Sequence, residues 1–593
     1  MEEKMDKKNS NLNKKTTAKS ASEKKADVKM PEEKVSAEEN KTVPTKSLST
    51  DVKDGEKLMN RRLALKGRFK GKGLLIAAYA YVFLPAILFV TFWLRWYIGI
   101  PFATLIICCC YDLIESDDPI WRPKSKGSAL RDNRIKIIVA LAIIMMWVLS
   151  SGIGGSVTAH GDQWYKNRMF MMLINNPWPM RMTAGNGTTA LMTYYIGYWL
   201  PVAFISKLTS LSNALLFLQI WSIFGIYLIW RFICEKYKTY KLWFLAVFIF
   251  FGGLDALGKW LTGNIYADVG NNYEWWAMFY TIPGFTTQLF WAYNHIIPGI
   301  LIFCLIDRQK TNKGILLIWA NALLSCTFPA VGLIPFAAYR AIANAKGNNI
   351  IHRFADVVKK CVTLPNVAGF LLALLFTLYL FPNVTLGRDL NGDYTKYDLP
   401  QTGVQQELTE NKAGEEVQEE KGFSLIPEDR GPLMAYPWTT RLWIFSWFFL
   451  LEAGLFFFFT YDYAKKKPIY WVCLGALLVL PWIHVGEHND FCMRATIPAM
   501  FVLYEIVVGA MGEYKAQKKT VLVLLLSALI VGSSITAFNT IQTQMSKTAL
   551  QIEWIVGKGG AVYADVVSYD GIATVPNFSA SEDSFFGRYL LAK

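Results

Sequence analysis

The chain has 593 residues, of which 53% are hydrophobic, 15% aromatic and 18% charged. A soluble protein carries roughly 25% charged residues, and apolar runs at 74–94, 212–230, 364–381 and 519–531 each approach the roughly 20 residues that cross a bilayer core as a helix. A soluble enzyme with one anchor is excluded, as is an outer-membrane barrel, whose strands alternate in polarity. The net charge of +15 is dispersed between the apolar runs and forms no single phosphate-facing patch, so nucleic acid is not an expected partner.

Residues 1–56 are Lys, Glu, Ser, Thr and Asn with almost no aromatics, and such a segment reads as a disordered arm. No apolar stretch precedes residue 73, so no signal peptide is expected. The basic patch Arg61, Arg62, Lys66, Arg68, Lys70 and Lys72 is expected to hold the arm in the cytoplasm. A basic segment and apolar hairpin then occupy 57–134, with spans near 73–94 and 97–113.

The third span, near 136–153, leads outward. If 194–205 crossed fully, the basic stretch 231–241 would fall outside, against the positive-inside rule. The segment is therefore read as dipping into the membrane within one long outer loop. Further spans follow near 211–230, 241–256, 285–306, 313–327, 329–344, 364–382, 438–460, 468–484, 497–512 and 519–537. The expected fold is an all-α polytopic membrane protein with about 13 transmembrane helices. Its main domain covers 135–538, with external loops 154–210, 257–284, 383–437 and 485–496. Residues 539–593 form a small external C-terminal cap, containing an amphipathic stretch (541–556), β-like runs (561–569, 572–575) and an aromatic end, Phe585, Phe586 and Tyr589. The expected location is the cell membrane, N-terminus cytoplasmic and C-terminus external. The nine cysteines suggest neither a disulfide framework nor a metal motif, and only Cys492 falls in an outer loop.

Candidate chemistry gathers on the outer side. Four of the five histidines, His160, His295, His484 and His488, fall at outer span ends. Residues 158–182 carry Asp162, Trp164, Tyr165, Lys166, Arg168 and Trp178, and 163–175 has the spacing of a surface helix with Asp162 at its favoured amino end. FGGLDALGKW (251–260) places Asp255 behind two glycines and ahead of Lys259. Residues 271–301 bring aromatics with Gln288, Asn294 and His295, and HVGEHNDFCMRATIPAM (484–500) brings Glu487, Asp490 and Arg494. Glu452 and Gln219 are the main polar residues deep within spans. Together with a helix break suggested at 327–335, they keep a transporter reading open.

This ordered set resembles the GT-C superfamily of membrane glycosyltransferases over about residues 135–540, and most closely a large bacterial branch with motifs like GLD, a Gln-aromatic-x-x-Asn/Gln-His run and NDFCMRATIP. The resemblance implies transfer of a hexose or pentose, with inversion, from a polyprenyl-phosphate donor to an external glycan, lipid or protein acceptor. It implies Asp162 as the base, with Asp255 supporting the acceptor or a divalent cation (Mg or Mn). Arg494 is expected at the leaving phosphate, with Lys259 as a second candidate and His295 orienting substrate. Gln288, Trp164, Glu487 and Asp490 complete the expected binding residues. The chain carries a single Asp162 where the commonest pattern has paired acids, which leaves the base and metal use open. A glycan ligase or polymerase, or a transporter of lipid-linked glycans, is the alternative.

Overall fold

The computed structural model describes residues 69–123, 127–157, 161–183, 189–209, 213–262, 273–277, 279–347, 349–389, 436–485, 489–558, 579–581 and 584–592. The arm 1–56, most of the acidic loop 383–437 and the β-like runs 561–569 and 572–575 lie outside the described residues.

Helices dominate. In chain order they are α1 (Gly73–Trp93), α2 (Trp96–Ser116), α3 (Ser128–Ser150), α4 (Gly161–Asn175), α5 (Leu200–Leu208), α6 (Ala214–Tyr237), α7 (Leu242–Phe250), α8 (Asp255–Leu261) and α9 (Phe285–Asp307). There follow α10 (Ile315–Ser325), α11 (Thr327–Ala343), α12 (Ile350–Cys361), α13 (Leu364–Asp389), α14 (Trp438–Phe449), α15 (Leu455–Ala464), α16 (Pro468–Val479), α17 (Asp490–Ala495), α18 (Ile497–Ala516) and α19 (Thr520–Lys558). Among the described residues, nine helical segments are long and apolar enough to cross a membrane, or ten when the pair α12–α13 counts as one bent span. The protein is thus a polytopic, mainly helical membrane protein. Three other expected spans are shorter apolar helices: α10, α11 and Pro468–Trp482. With 11 residues, α10 reaches only about 17 Å at 1.5 Å per residue, short of the roughly 30 Å hydrocarbon core.

The segment expected to dip into the membrane holds the nine-residue α5, too short to cross. The amphipathic stretch 541–556, expected to open a separate cap, instead continues α19, which runs unbroken for 39 residues and at about 58 Å exceeds the bilayer core. The fold is not purely helical either. Strands β1 (Arg181–Thr183), β2 (Thr189–Met192) and β3 (Ser579–Ser581) form an antiparallel sheet in that order, with Met182 opposite Ala190 and Leu191 opposite Ala580. The C-terminal segment is fastened further by an isolated bridge between Leu94 and Leu591 and by Arg95, which donates to the Arg588 carbonyl at 2.7 Å. Of the aromatic end, Phe586 is buried against Phe89 and Tyr379, whereas Phe585 and Tyr589 stay exposed.

One end of the bundle is held by charge. Lys72 Nζ donates to the carbonyls of Ile114 and Glu115 at 2.9 and 2.8 Å, tying the start of α1 to the end of α2. Arg308, just past α9, pairs with Asp117 at 2.6 Å and with Glu235 of α6 at 3.2 Å. The ends that the loop charges assign to one membrane face therefore meet. Burial raises the Asp117 carboxyl above the usual range, with Arg308 opposing that rise. The nearby Asp118 is lowered by its hydrogen bond and charge pairing with Lys310. At the centre, α9 is buried along nearly its whole length and packs against α6, α10, α11 and α18.

Candidate functional site

Two polar groups lie along the first half of α9, at the end away from Arg308. The first is a nest of three carboxyl groups. Helix α7 stops at Phe250 and the chain runs unwound through Phe251–Leu254 before α8 begins at Asp255. Gly252 and Gly253 make that crossing tight: a Cβ on Gly252 would lie 2.9 Å from Gly284 Cα, and one on Gly253 would lie 1.7 Å from Glu452 Oε2. Glu452 sits in a single π-helical turn, Leu450–Gly454, between α14 and α15, a feature frequent at functional sites. Trp276 Nε1 donates to Glu452 Oε1 at 2.9 Å, and the Gly284 amide donates to Glu274 Oε1 at 3.1 Å. Asp255, Glu274 and Glu452 are each 1% exposed. Asp255 lies beside the side chains of Glu452, Thr536 and Trp276, and among the described residues neither of its carboxylate oxygens makes a well-formed hydrogen bond.

Asp255 was expected at the outer boundary, yet it is fully enclosed, because α8, α9, α19 and the 273–276 turn close around it. A small cavity is lined by Asp255, Glu274, Thr286, Thr287, Ser533 and Thr536. Its size suits a single water molecule. Glu274, in the Tyr273–Trp275 turn, has its carboxyl pushed well above the usual range, first by burial and then by the neighbouring charge of Asp255.

The second group surrounds His295. Helix α9 breaks at Ala292, where φ is −143° and ψ 47°, between the two groups. Lys166 of α4 donates to the Trp291 carbonyl at this break, and Gln288 donates to the Met493 carbonyl. His295 lies 4.8 Å from Tyr195 and 6.4 Å from Phe328, ring centre to ring centre. Arg494 sits 5.9 Å over the Phe328 ring and pairs with Asp490 at 3.2 Å. Asn294 and His295 are wholly buried, and among the described residues neither their amide atoms nor their ring nitrogens have a hydrogen-bond partner. Buried polar groups are seldom left so. The arrangement of two cations, an imidazole, an amide and aromatic faces suits a phosphate joined to a ring-shaped polar group.

Sequence expectations and structure meet unevenly. Gln288, His295, Arg494 and Asp490 come together; Asp255 joins the carboxyl nest; Lys259, one turn further on, lies 4.6 Å over the Tyr273 ring. Asp162 and Trp164 stand in the first turn of α4, and their side chains lie outside the described residues, as do Glu487, His160 and His488. His484 is exposed and meets Phe279 at 6.2 Å. Gln219 binds the carbonyls of Ile153 and Gly154, so its amide holds a turn. Cys492, expected in a loop, is buried in α17 and donates to the Thr281 carbonyl; all nine cysteines are free thiols.

Glu274, the joining of Glu452 to Asp255 and a role for Lys166 are not among the sequence expectations. A carboxylate inside the apolar run 438–464 was the available signal for Glu452; for Glu274 the run of aromatics hid it. Among the described residues, no three His, Cys, Asp or Glu side chains are arranged to hold a metal ion. Comparison with protein-family models, with curated proteins and with solved structures gives no match for this chain.

Proposed function

We propose that the protein is a membrane glycosyltransferase that moves a sugar from a polyprenyl-phosphate donor to an acceptor on the external face. The reading extends to thirteen membrane-embedded helical segments in a GT-C-like arrangement, with the N-terminus cytoplasmic and the C-terminus external. The observation that carries it is the pair Asn294–His295, fully buried with unsatisfied polar atoms, beside Arg494 and close to Lys166.

The chemistry assigned to these residues follows from charge. The anomeric carbon–oxygen bond of the donor breaks, and the polyprenyl phosphate leaves with the electron pair and added negative charge. Arg494 and Lys166 oppose that charge in a site shielded from water, where fixed cations act most strongly. The acceptor hydroxyl forms the new bond to the anomeric carbon and gives its proton to a carboxylate within hydrogen-bond reach. Asp162 is assigned that role. It precedes Lys166 by one helical turn on α4, and Lys166 touches the α9 break, so its backbone lies about one turn from that break. His295 and Asn294 orient the sugar hydroxyls. Asp255, enclosed with Glu452, is assigned to support the acceptor.

The break at Cys326, where φ is −154° and ψ 70° between α10 and α11, keeps a transporter of lipid-linked glycans as the second reading, because broken helices line many transport sites. The test is a lipid extract from a strain lacking the protein. A transferase leaves a polyprenyl-phosphate monosaccharide to accumulate, whereas a transporter leaves an assembled lipid-linked glycan.

A further inference from the structure

Helix α12 has one side that stays exposed among the described residues. Ile351, Phe354 and Val358 recur at helical spacing and are 77%, 68% and 50% exposed. The opposite side is satisfied within the protein. Arg353 Nε donates to the Gly347 carbonyl at 3.1 Å, and Asp356 accepts from the Lys346 amide and from Lys360, both at 2.6 Å. Asn349 caps the helix by accepting from the His352 amide at 2.9 Å.

The next helix turns away by 83°. With the apolar run 364–381 of α13 entering the membrane, as its composition implies, the 83° bend sets α12 near the membrane plane. Its joint is fixed: Asn366 Nδ2 donates to the carbonyls of Asn312 at 2.6 Å and Cys361 at 3.0 Å, and Thr363 donates to the Lys313 carbonyl at 2.6 Å. The helix is thereby held at the level of the basic loop 308–313. Lys359, beside the apolar stripe, and Lys346 have exposed side chains without an ion pair among the described residues.

We propose that α12 is a lipid-docking helix, its apolar side sunk into the acyl boundary and Lys346 and Lys359 bound to anionic phospholipid headgroups. The occupant is a lipid surface because the stripe adjoins a membrane-entering helix and its uncovered charges are positive. An apolar stripe flanked by lysines is the pattern of interfacial helices. In the topology read from the loop charges this side faces the cytoplasmic leaflet, which carries the anionic lipid.

The test uses the full-length protein with p-benzoylphenylalanine replacing Phe354, reconstituted in vesicles of phosphatidylcholine and phosphatidylglycerol. Illumination followed by peptide mass spectrometry should give phospholipid adducts, with the ratio of phosphatidylglycerol to phosphatidylcholine adducts raised up to about thirtyfold over the bulk ratio, from roughly 1 kcal/mol for each of the two lysines near such a surface. K346E/K359E should abolish the enrichment and keep the adduct. The same probe at Phe370, exposed on α13, checks that each variant has inserted. An adduct to protein at position 354, with lipid adducts intact at 370, overturns the proposal. Labelling of the two lipids in proportion to their abundance overturns the headgroup assignment.

Discussion

Gly253 leaves the space that the carboxylate of Glu452 fills: a single added carbon at Gly253 would stand 1.7 Å from Glu452 Oε2, although 199 positions separate the two residues. Their chains are joined directly alongside, where the Leu254 amide donates to the Leu451 carbonyl at 3.1 Å. The unwound crossing after α7 and the π turn after α14 are therefore one structural unit.

That relationship predicts a non-additive pair. Gly253→Ala should lower stability by about 1–3 kcal/mol, the usual cost of forcing atoms into a packed interior. Adding Glu452→Ala should recover part of that loss, since the second change removes the clashing group. Thermal unfolding of the two single variants and the double variant in one detergent measures the coupling. Simple addition of the two losses contradicts the geometry.

A second prediction concerns pH. Glu274 holds its proton to a higher pH in the folded protein than in the unfolded chain, through burial and the charge of Asp255. The folded state thus binds more protons above the ordinary glutamate value of about 4.3. The stability this proton supplies is fully present below that value and drains away as pH rises toward the raised one. As pH rises above the ordinary glutamate value the wild-type melting temperature should fall, and Glu274→Gln should flatten the fall. Equal slopes for both proteins contradict the assignment.

The charged end of the bundle gives a third. Arg308 and Asp117 have side chains 12% and 8% exposed and lie 2.6 Å apart. Arg308→Leu strands Asp117 and should cost about 3–5 kcal/mol, the typical result of removing one partner from a buried pair. Arg308→Leu with Asp117→Asn should be milder. Thermal melts of the purified variants decide it.

Among the described residues, nine or ten of the thirteen expected spans were legible in the sequence, because an uncharged apolar run of about 20 residues matches the thickness of a bilayer core and little else. Loop charges matched the clustering of Lys72, Asp117, Glu235 and Arg308 at one end of the bundle. Gly252 and Gly253 ahead of Asp255 signalled a close backbone approach, and His295 with Gln288 stood out in an aromatic run. The carboxyl nest was not legible, because Asp255, Glu274 and Glu452 come from three separate stretches and meet only through tertiary packing. The continuation of α19 past the bilayer was missed for a different reason: its hydrophobic pattern changes at residue 541 while the helical backbone does not.

Within the proposed site, Arg494→Gln should slow sugar transfer more than it weakens donor binding, because the cation opposes charge that grows as the phosphate leaves. His295→Ala should mainly raise the donor concentration needed for half-maximal rate. Initial rates across donor concentrations separate the two effects, and a purely binding defect in Arg494→Gln contradicts its role.

The most direct test of the account is sugar transfer by purified protein in vesicles containing radiolabelled polyprenyl-phosphate hexoses and pentoses, with membrane extract as acceptor source. The account predicts that label leaves the polyprenyl phosphate and enters a product with inverted anomeric configuration. Asp162→Asn, which retains the ability to favour a helix start, should reduce the rate by about 10²–10⁴-fold, the usual loss of a general base, with the protein still folded and inserted. Intact donors with every sugar tried, or an Asp162→Asn rate equal to wild type, would contradict it.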